Sequence, residues 1–189
     1  IWSHHTRPTK FCLCVDDFGI KTFNENDTKH LINALQDGYD ITIDHEGKEY
    51  CGLHLEWDYD KEHVDISMPQ FVQKTLEKLQ HDKPNKLQHA PHTWTRPIYG
   101  HHQQLVPIPD SSALLPEKDI KYIQSVVGSF LYYGRAVDPT VLVTLNEIGM
   151  SQARPTIQTK AKVNMLLNYL ASHPSAKIRY TANDMVLHL

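Results

Sequence analysis

The hydrophobic pattern of the chain is organised around one apolar run that two adjacent carboxylates interrupt. Residues 11–15 are all apolar, Asp16 and Asp17 follow, and the apolar pattern resumes at Phe18. Five consecutive apolar residues predict a strand that is buried on both faces. Unpaired carboxylates are too costly to bury inside such a strand. We therefore expect a buried β-hairpin with Asp16 and Asp17 at its tip.

The residues after this hairpin predict one helix and three strands. Residues 24–27 have the N-cap chemistry for a helix that extends to about Asp37 and ends at Gly38, and we expect this helix to cover the hairpin sheet. Alternating apolar positions then predict strands at 39–44, 49–57 and 64–68. A helix combined with antiparallel strands indicates the α+β fold class.

Helical periodicity dominates the second half of the chain. Pro69 suits the first turn of a helix that ends near Gln80, with Ser67 as a cap. Residues 82–116 hold six of the eleven prolines and predict an irregular linker rich in Pro and His. Three amphipathic segments within 117–174, the second starting at Asp138-Pro139 and the third at Pro155, predict a small helical bundle, and two strand-like runs follow. The predicted domain organisation is thus 1–68, 69–81, 82–116, 117–174 and 175–189.

Composition restricts the function less than the pattern does. The 189 residues have a net charge of −3, so a nucleic-acid site, if present, has to be a local one. The sequence has no run of eighteen apolar residues and no signal peptide at its start, which predicts an intracellular protein. Of the three cysteines, two lie in the predicted buried strand, which favours reduced thiols in the core over a disulfide framework.

Adjacent carboxylates at a hairpin tip repel each other, and a divalent cation relieves that repulsion. Hard oxygen ligands of this kind suit Mg²⁺, which keeps coordination sites for water and for substrate phosphates. A pair of such ions is common in enzymes that transfer phosphoryl or nucleotidyl groups. The candidate metal ligands are therefore Asp16 and Asp17.

Three motifs, in this order along the chain, resemble a known family. Cys14-Val15-Asp16-Asp17 resembles the aromatic-x-Asp-Asp box of reverse transcriptases, with cysteine in place of the aromatic residue. Tyr50-Cys51-Gly52-Leu53-His54-Leu55 resembles the hairpin of the same family that grips the primer 3′ end. The segment Val126-Val127-Gly128-Ser129-Phe130-Leu131-Tyr132-Tyr133, with Arg135 and Asp138-Pro139 after it, is similar to the region after the polymerase core in copia-type LTR retrotransposons.

The resemblance implies the C-terminal palm and the thumb of an RNA-directed DNA polymerase in a retrotransposon Pol polyprotein. It implies two Mg²⁺ ions with Asp16 as the principal ligand. Asp17 would either bind the metal as well or orient the site. It also implies a primer grip at Cys51, Gly52, Leu53 and His54, and phosphate contacts from Lys74 and Lys78 of the first thumb helix. The implied partners are a template-primer duplex, a deoxynucleoside triphosphate and the other domains of the polyprotein, in the cytoplasm or in a virus-like particle.

The family pattern also predicts that this chain is one piece of a longer protein. The chain starts at Ile1 and ends within a strand-like run, and residues 1–15 contain no carboxylate that could be the third metal ligand of the family. We therefore expect that ligand, and the fingers, upstream of Ile1, and an RNase H-like domain that starts at about 175–189. We also expect no nucleotide incorporation by the isolated 189 residues.

Two alternatives remain open at the level of sequence. A receiver-type phosphoacceptor domain also places an acidic pair after an apolar strand, but Phe18-Gly19-Ile20 continues as strand where a receiver begins a helix. A non-catalytic remnant of a retroelement would only bind nucleic acid or another subunit. Cys14 favours this second alternative, because in the family the aromatic residue packs near the primer terminus.

Overall fold

The computed structural model of the chain describes residues 1–93 and 110–183, which form two units. Within those ranges, the first unit contains residues 1–66 and 179–183, and the second contains the described residues between 67 and 178. Within the described residues the fold is α+β with antiparallel strand pairs, so the predicted fold class is confirmed at this level. No helix within these two ranges is long and apolar enough to cross a membrane.

The first unit contains two sheets. Strands β1 (Trp2–Ser3), β2 (Lys10–Cys14) and β3 (Asp17–Lys21) form an antiparallel sheet in that order. Strands β4 (Glu49–Tyr50), β5 (Leu53–Asp58), β6 (His63–Ser67) and β7 (Lys177–Thr181) form the second sheet. The first of the two strand-like runs at the end of the chain thus extends this sheet, and the second, 185–189, lies outside the described residues.

Helix α1 (Glu25–Gln36) follows β3 and begins where the sequence predicts. The Asn24 side chain accepts a hydrogen bond from the Asp27 backbone N–H at 2.9 Å, which satisfies a free amide of the first turn. Arg7 Nη1 lies 2.7 Å from Asp27 Oδ1 and joins the helix to the loop before β2. This ion pair is the main reason that the pKa of Asp27 is lowered.

The prediction of a strand at 39–44 is wrong, because the structure has no strand between α1 and β4. The Asp44 carboxylate instead accepts four hydrogen bonds from the backbone N–H groups of residues 46–49, at 2.6 to 3.1 Å. These bonds hold the pKa of Asp44 below its usual value. A side chain that binds several backbone amides stabilises a loop, and it competes successfully with a strand that has little apolar surface to bury.

The second unit is helical. Helix α2 (Phe71–Lys78) begins two residues after Pro69, and Ser67 belongs to β6, so it is not the cap of this helix. Helices α3 (Glu117–Ala136), α4 (Leu142–Ser151) and α5 (Ile157–Ser172) confirm the predicted bundle. Asp138 caps a short 3₁₀ turn at Pro139–Val141 before α4, and Thr156 caps α5. The largest fully buried side chains of the described residues lie in this unit, among them Phe130, Tyr133, Leu145, Leu166, Leu167 and Leu170.

Candidate functional site

The first hairpin places the acidic pair at its tip, as the sequence predicts. Strands β2 and β3 pair from Lys10↔Lys21 to Cys14↔Asp17, so Val15 and Asp16 form a two-residue loop. Val15 has a φ of 57°, a left-handed conformation that is unusual for a β-branched residue. Such strain persists only where the surroundings fix it, and it is frequent at functional sites. Both carboxylates and the Val15 side chain are exposed.

The prediction that the strands of this hairpin are buried on both faces is wrong. No residue of β2 or β3 is fully buried, and Leu13 is 48% exposed. The side chains of Phe11, Leu13 and Phe18 share one face, which is partly exposed within the described part of the chain. An apolar run shows that both faces could be covered, but it does not show that both faces are covered. Cys14 is exposed as well, so the prediction that the cysteines are core thiols fails, although none of the three forms a disulfide.

The second hairpin contacts the first one tip to tip. Residues Cys51 and Gly52 form its two-residue loop with φ angles of 52° and 73°, as in a type I′ turn. The Cys51 backbone N–H donates to Asp17 Oδ2 at 3.1 Å. This bond joins the two motifs that resemble reverse transcriptases, although 34 residues separate its partners in the sequence.

Tyr50 packs its ring against the first hairpin beside this tip contact. Its hydroxyl donates to Cys12 Sγ at 3.4 Å, and Cys12 Sγ in turn lies 3.6 Å from the carbonyl oxygen of Gly19. A Cβ atom at Gly19 would lie 2.8 Å from Cys12 Sγ and 3.3 Å from the Tyr50 ring. Only glycine leaves room for both neighbours, so Gly19 permits the close approach of the two hairpins.

The Cys51 thiol is held in its neutral form. Burial raises the pKa of the Cys51 thiol to about 11, and a side-chain hydrogen bond with Cys14 and the negative charge of Asp17 add to this effect. The hydrogen bond to Cys12 is the largest cause of the raised pKa of the Tyr50 hydroxyl. The site therefore has two carboxylates beside neutral thiol and hydroxyl groups.

Exchange of Gly19 for alanine is expected to separate the hairpins. The added methyl group would overlap Cys12 Sγ, and relief of such overpacking typically costs about 1–3 kcal/mol. We expect a decrease of this size in the free energy of unfolding of the first unit, together with faster alkylation of Cys12, both measured in denaturant titrations with thiol labelling. The matched control is Gly38→Ala, because a Cβ atom there meets no other atom within 4 Å. Equal stability of the two variants would contradict the expectation.

The structure places the remaining predicted site residues as follows. Leu53 and His54 begin β5, and His54 Nδ1 lies 2.8 Å from Glu49 Oε1 across the hairpin. Lys74 and Lys78 lie on the exposed face of α2, in the second unit, one helical turn apart. The structure therefore brings together the acidic pair and the Cys51–Gly52 loop within the first unit.

The roles of Cys12 and Gly19 are not evident from the sequence motifs. Both lie in the apolar pattern of the first hairpin and carry no catalytic chemistry, so the motifs gave them no weight. A glycine in the interior of a strand does signal the close approach of another chain segment. That signal was present at Gly19, but it did not identify Tyr50 as the neighbour.

Comparisons with known proteins add no identification. No protein-family model, no curated protein and no solved structure matches the chain. Within the described residues, no group of three or more His, Cys, Asp or Glu side chains could hold a metal ion.

Proposed function

We propose that this chain is the palm and thumb portion of an RNA-directed DNA polymerase of an LTR retrotransposon, copia-type by its motifs. The observation that carries the proposal is the bond from the Cys51 backbone N–H to Asp17 Oδ2. It brings the acidic hairpin tip next to the glycine-containing tip that resembles a primer grip. If the two motifs had occurred in the sequence by chance, their hairpin tips would not be expected to touch.

The donor chemistry of the acidic tip fits magnesium. Asp16 and Asp17 are adjacent, exposed and oxygen-only ligands, and one or two carboxylates are the usual protein contribution to a Mg²⁺ site that also binds substrate phosphates. When bound, two such ions would supply the positive charge that activates the primer 3′-hydroxyl and neutralises the nucleotide phosphates. Asp16 would hold the ions as the principal ligand.

The remaining residues of the site position the reactants. Asp17 accepts the Cys51 N–H through Oδ2, so it orients the second hairpin and also contributes negative charge to the tip. Gly52 exposes its backbone at the loop, where a primer backbone can approach without a side chain in between. Lys74 and Lys78 belong to the second unit, and by the resemblance alone they would contact phosphates of the duplex through charge attraction.

A second candidate is a non-catalytic remnant that binds nucleic acid or another subunit. The observation that favours it is Cys14, which is exposed beside the acidic tip at the position where the family has an aromatic residue near the primer. The receiver-type alternative is wrong, because a receiver domain has a parallel sheet and the strand pairs β1–β2, β2–β3 and β4–β5 are antiparallel.

Paramagnetic broadening by Mn²⁺ tests the proposal on this chain. We expect the backbone amide signals of residues 15–17 and of Cys51 to broaden first in an NMR titration, because Mn²⁺ prefers the same hard oxygen ligands as Mg²⁺. Asp16→Asn and Asp17→Asn should each lower the apparent affinity at least about tenfold, whereas Asp40→Asn, an exposed carboxylate after α1, should not change it. Broadening that is centred on the Asp44 loop or on the β5–β6 turn would refute the metal site.

A further inference from the structure

Two cysteines lie where the hairpin tips touch. Cys14 is the last residue of β2 and is exposed, and Cys51 is the first residue of the loop between β4 and β5. Both residues adjoin Asp17, because Cys14 is its cross-strand partner and the Cys51 N–H donates to its carboxylate at 3.1 Å. Cross-strand partners project from the same face of a sheet, so the Cys14 side chain lies on the face from which Asp17 reaches Cys51.

This arrangement favours a covalent bond between the two sulfur atoms. The two loops are short and each has a fixed conformation, so they hold the thiols next to each other without a large loss of entropy. Neighbouring thiols need little more than side-chain rotation to reach disulfide geometry, provided that their backbones are close. The exposure of Cys14 gives an oxidant access to the pair.

The third cysteine is held differently. Cys12 lies two residues before Cys14 on β2, accepts the Tyr50 hydroxyl hydrogen bond at 3.4 Å and lies 3.6 Å from the Gly19 carbonyl oxygen. Its sulfur is therefore occupied by the Tyr50 contact beside the tip. Of the three cysteines, Cys14 and Cys51 are therefore the pair that the fold favours for a covalent bond.

We propose that Cys14 and Cys51 form a reversible disulfide that fastens the second hairpin tip to the acidic tip. With a peroxide as oxidant, the exposed Cys14 thiol is oxidised to a sulfenic acid with release of one water molecule. The Cys51 sulfur then displaces the hydroxyl group, which takes the Cys51 thiol proton and leaves as a second water molecule, and the S–S bond forms. Two thiols and one peroxide thus give one disulfide and two water molecules, and a dithiol reductant restores both thiols.

The fastened tip would keep the Cys51 N–H on Asp17 Oδ2. This disulfide site does not depend on the proposed polymerase function, since it requires only the contact of the two hairpins. Its test is therefore separate from the Mn²⁺ titration, and either result can fail alone.

Peptide mapping after oxidation tests the proposal. The whole chain is treated with hydrogen peroxide, remaining thiols are alkylated, and the tryptic peptides are identified by mass spectrometry without reduction. Cleavage after lysine places Cys12 and Cys14 together in the peptide 11–21 and Cys51 in the peptide 49–61. We expect these two peptides to be joined, and a dithiol reductant to separate them.

Serine variants assign the bond to its residues. The cross-link should persist in Cys12→Ser and disappear in Cys14→Ser and in Cys51→Ser. It should also form at least about tenfold faster in the folded chain than in the chain unfolded in urea, because the fold holds the two thiols together. A cross-link that persists in Cys14→Ser, an equal rate in the unfolded chain, or peroxide-treated wild-type chain in which Cys14 and Cys51 do not become joined would overturn the proposal.

Discussion

Exchange of Asp16 for asparagine is expected to lower metal-dependent nucleotide incorporation at least about 10³-fold in a polymerase that contains this segment. Catalysis of nucleotidyl transfer consists mainly of positioning and charge neutralisation. Removal of one preorganised electrostatic contact at a reacting centre typically costs about 10²- to 10³-fold in turnover, and loss of a metal ligand removes the bound charge itself. The variant keeps the size of the side chain, so a loss of activity reports on charge.

The effect of Asp17→Asn should be smaller, because the amide oxygen can still accept the Cys51 N–H and keep the two tips together. Two measurements separate the proposed metal binding by Asp16 from the proposed orientation of the second hairpin by Asp17. They are the primer-extension rate at saturating nucleotide and the affinity for the template-primer duplex. We expect unchanged affinity for the duplex in both variants, and wild-type rates in the Asp40→Asn control, which leaves the tip intact. If Asp16→Asn lowers the rate of nucleotide incorporation less than tenfold, Asp16 is not a metal ligand in the reaction.

Local sequence signals predict the hairpin and the capped helices well. The two carboxylates interrupt an apolar run, so the chain has to turn there, and the structure has its two-residue loop at Val15–Asp16. Asn24 and Asp138 have the side-chain oxygen that an N-cap needs, and both cap a helix or a 3₁₀ turn. Such features depend on a few neighbouring residues, which is why they can be derived from the sequence alone.

Features that depend on particular side-chain contacts, near or distant in the sequence, are not predictable in the same way. The strand expected at 39–44 is a loop, because the Asp44 carboxylate binds the amides of residues 46–49 and alternation of apolar residues does not reveal that bond. The face of the first sheet that becomes covered depends on Tyr50, which approaches Gly19 from another hairpin. The meeting of the two tips likewise depends on a tertiary contact, although each tip is predictable from its own motif.

The stability of the second unit depends strongly on one aromatic cluster. Phe130 of α3 is fully buried, and its ring lies edge-on to Phe71 of α2 and to Tyr133, with centroid distances of 6.3 Å to each. The rings of Phe71 and Tyr133 are stacked with centroids 5.5 Å apart. Pairs of this kind contribute about 0.5–1.5 kcal/mol each beyond the burial of their surface. This cluster joins α2 to α3, and α2 also packs on α5, so both contacts hold the helix after Pro69 on the bundle.

Exchange of Phe130 for alanine is therefore expected to lower the free energy of unfolding of the second unit by about 3–5 kcal/mol. The truncated side chain loses its buried surface and leaves a cavity between α2 and α3, and domains of this kind are stable by only about 5–15 kcal/mol in total. Denaturant titration followed by circular dichroism measures the change. The matched control is Met150→Ala on α4, where the side chain is 82% exposed and truncation should cost less than about 0.5 kcal/mol. If both variants lower the free energy of unfolding by a similar amount, the ring cluster does not hold α2 on the bundle.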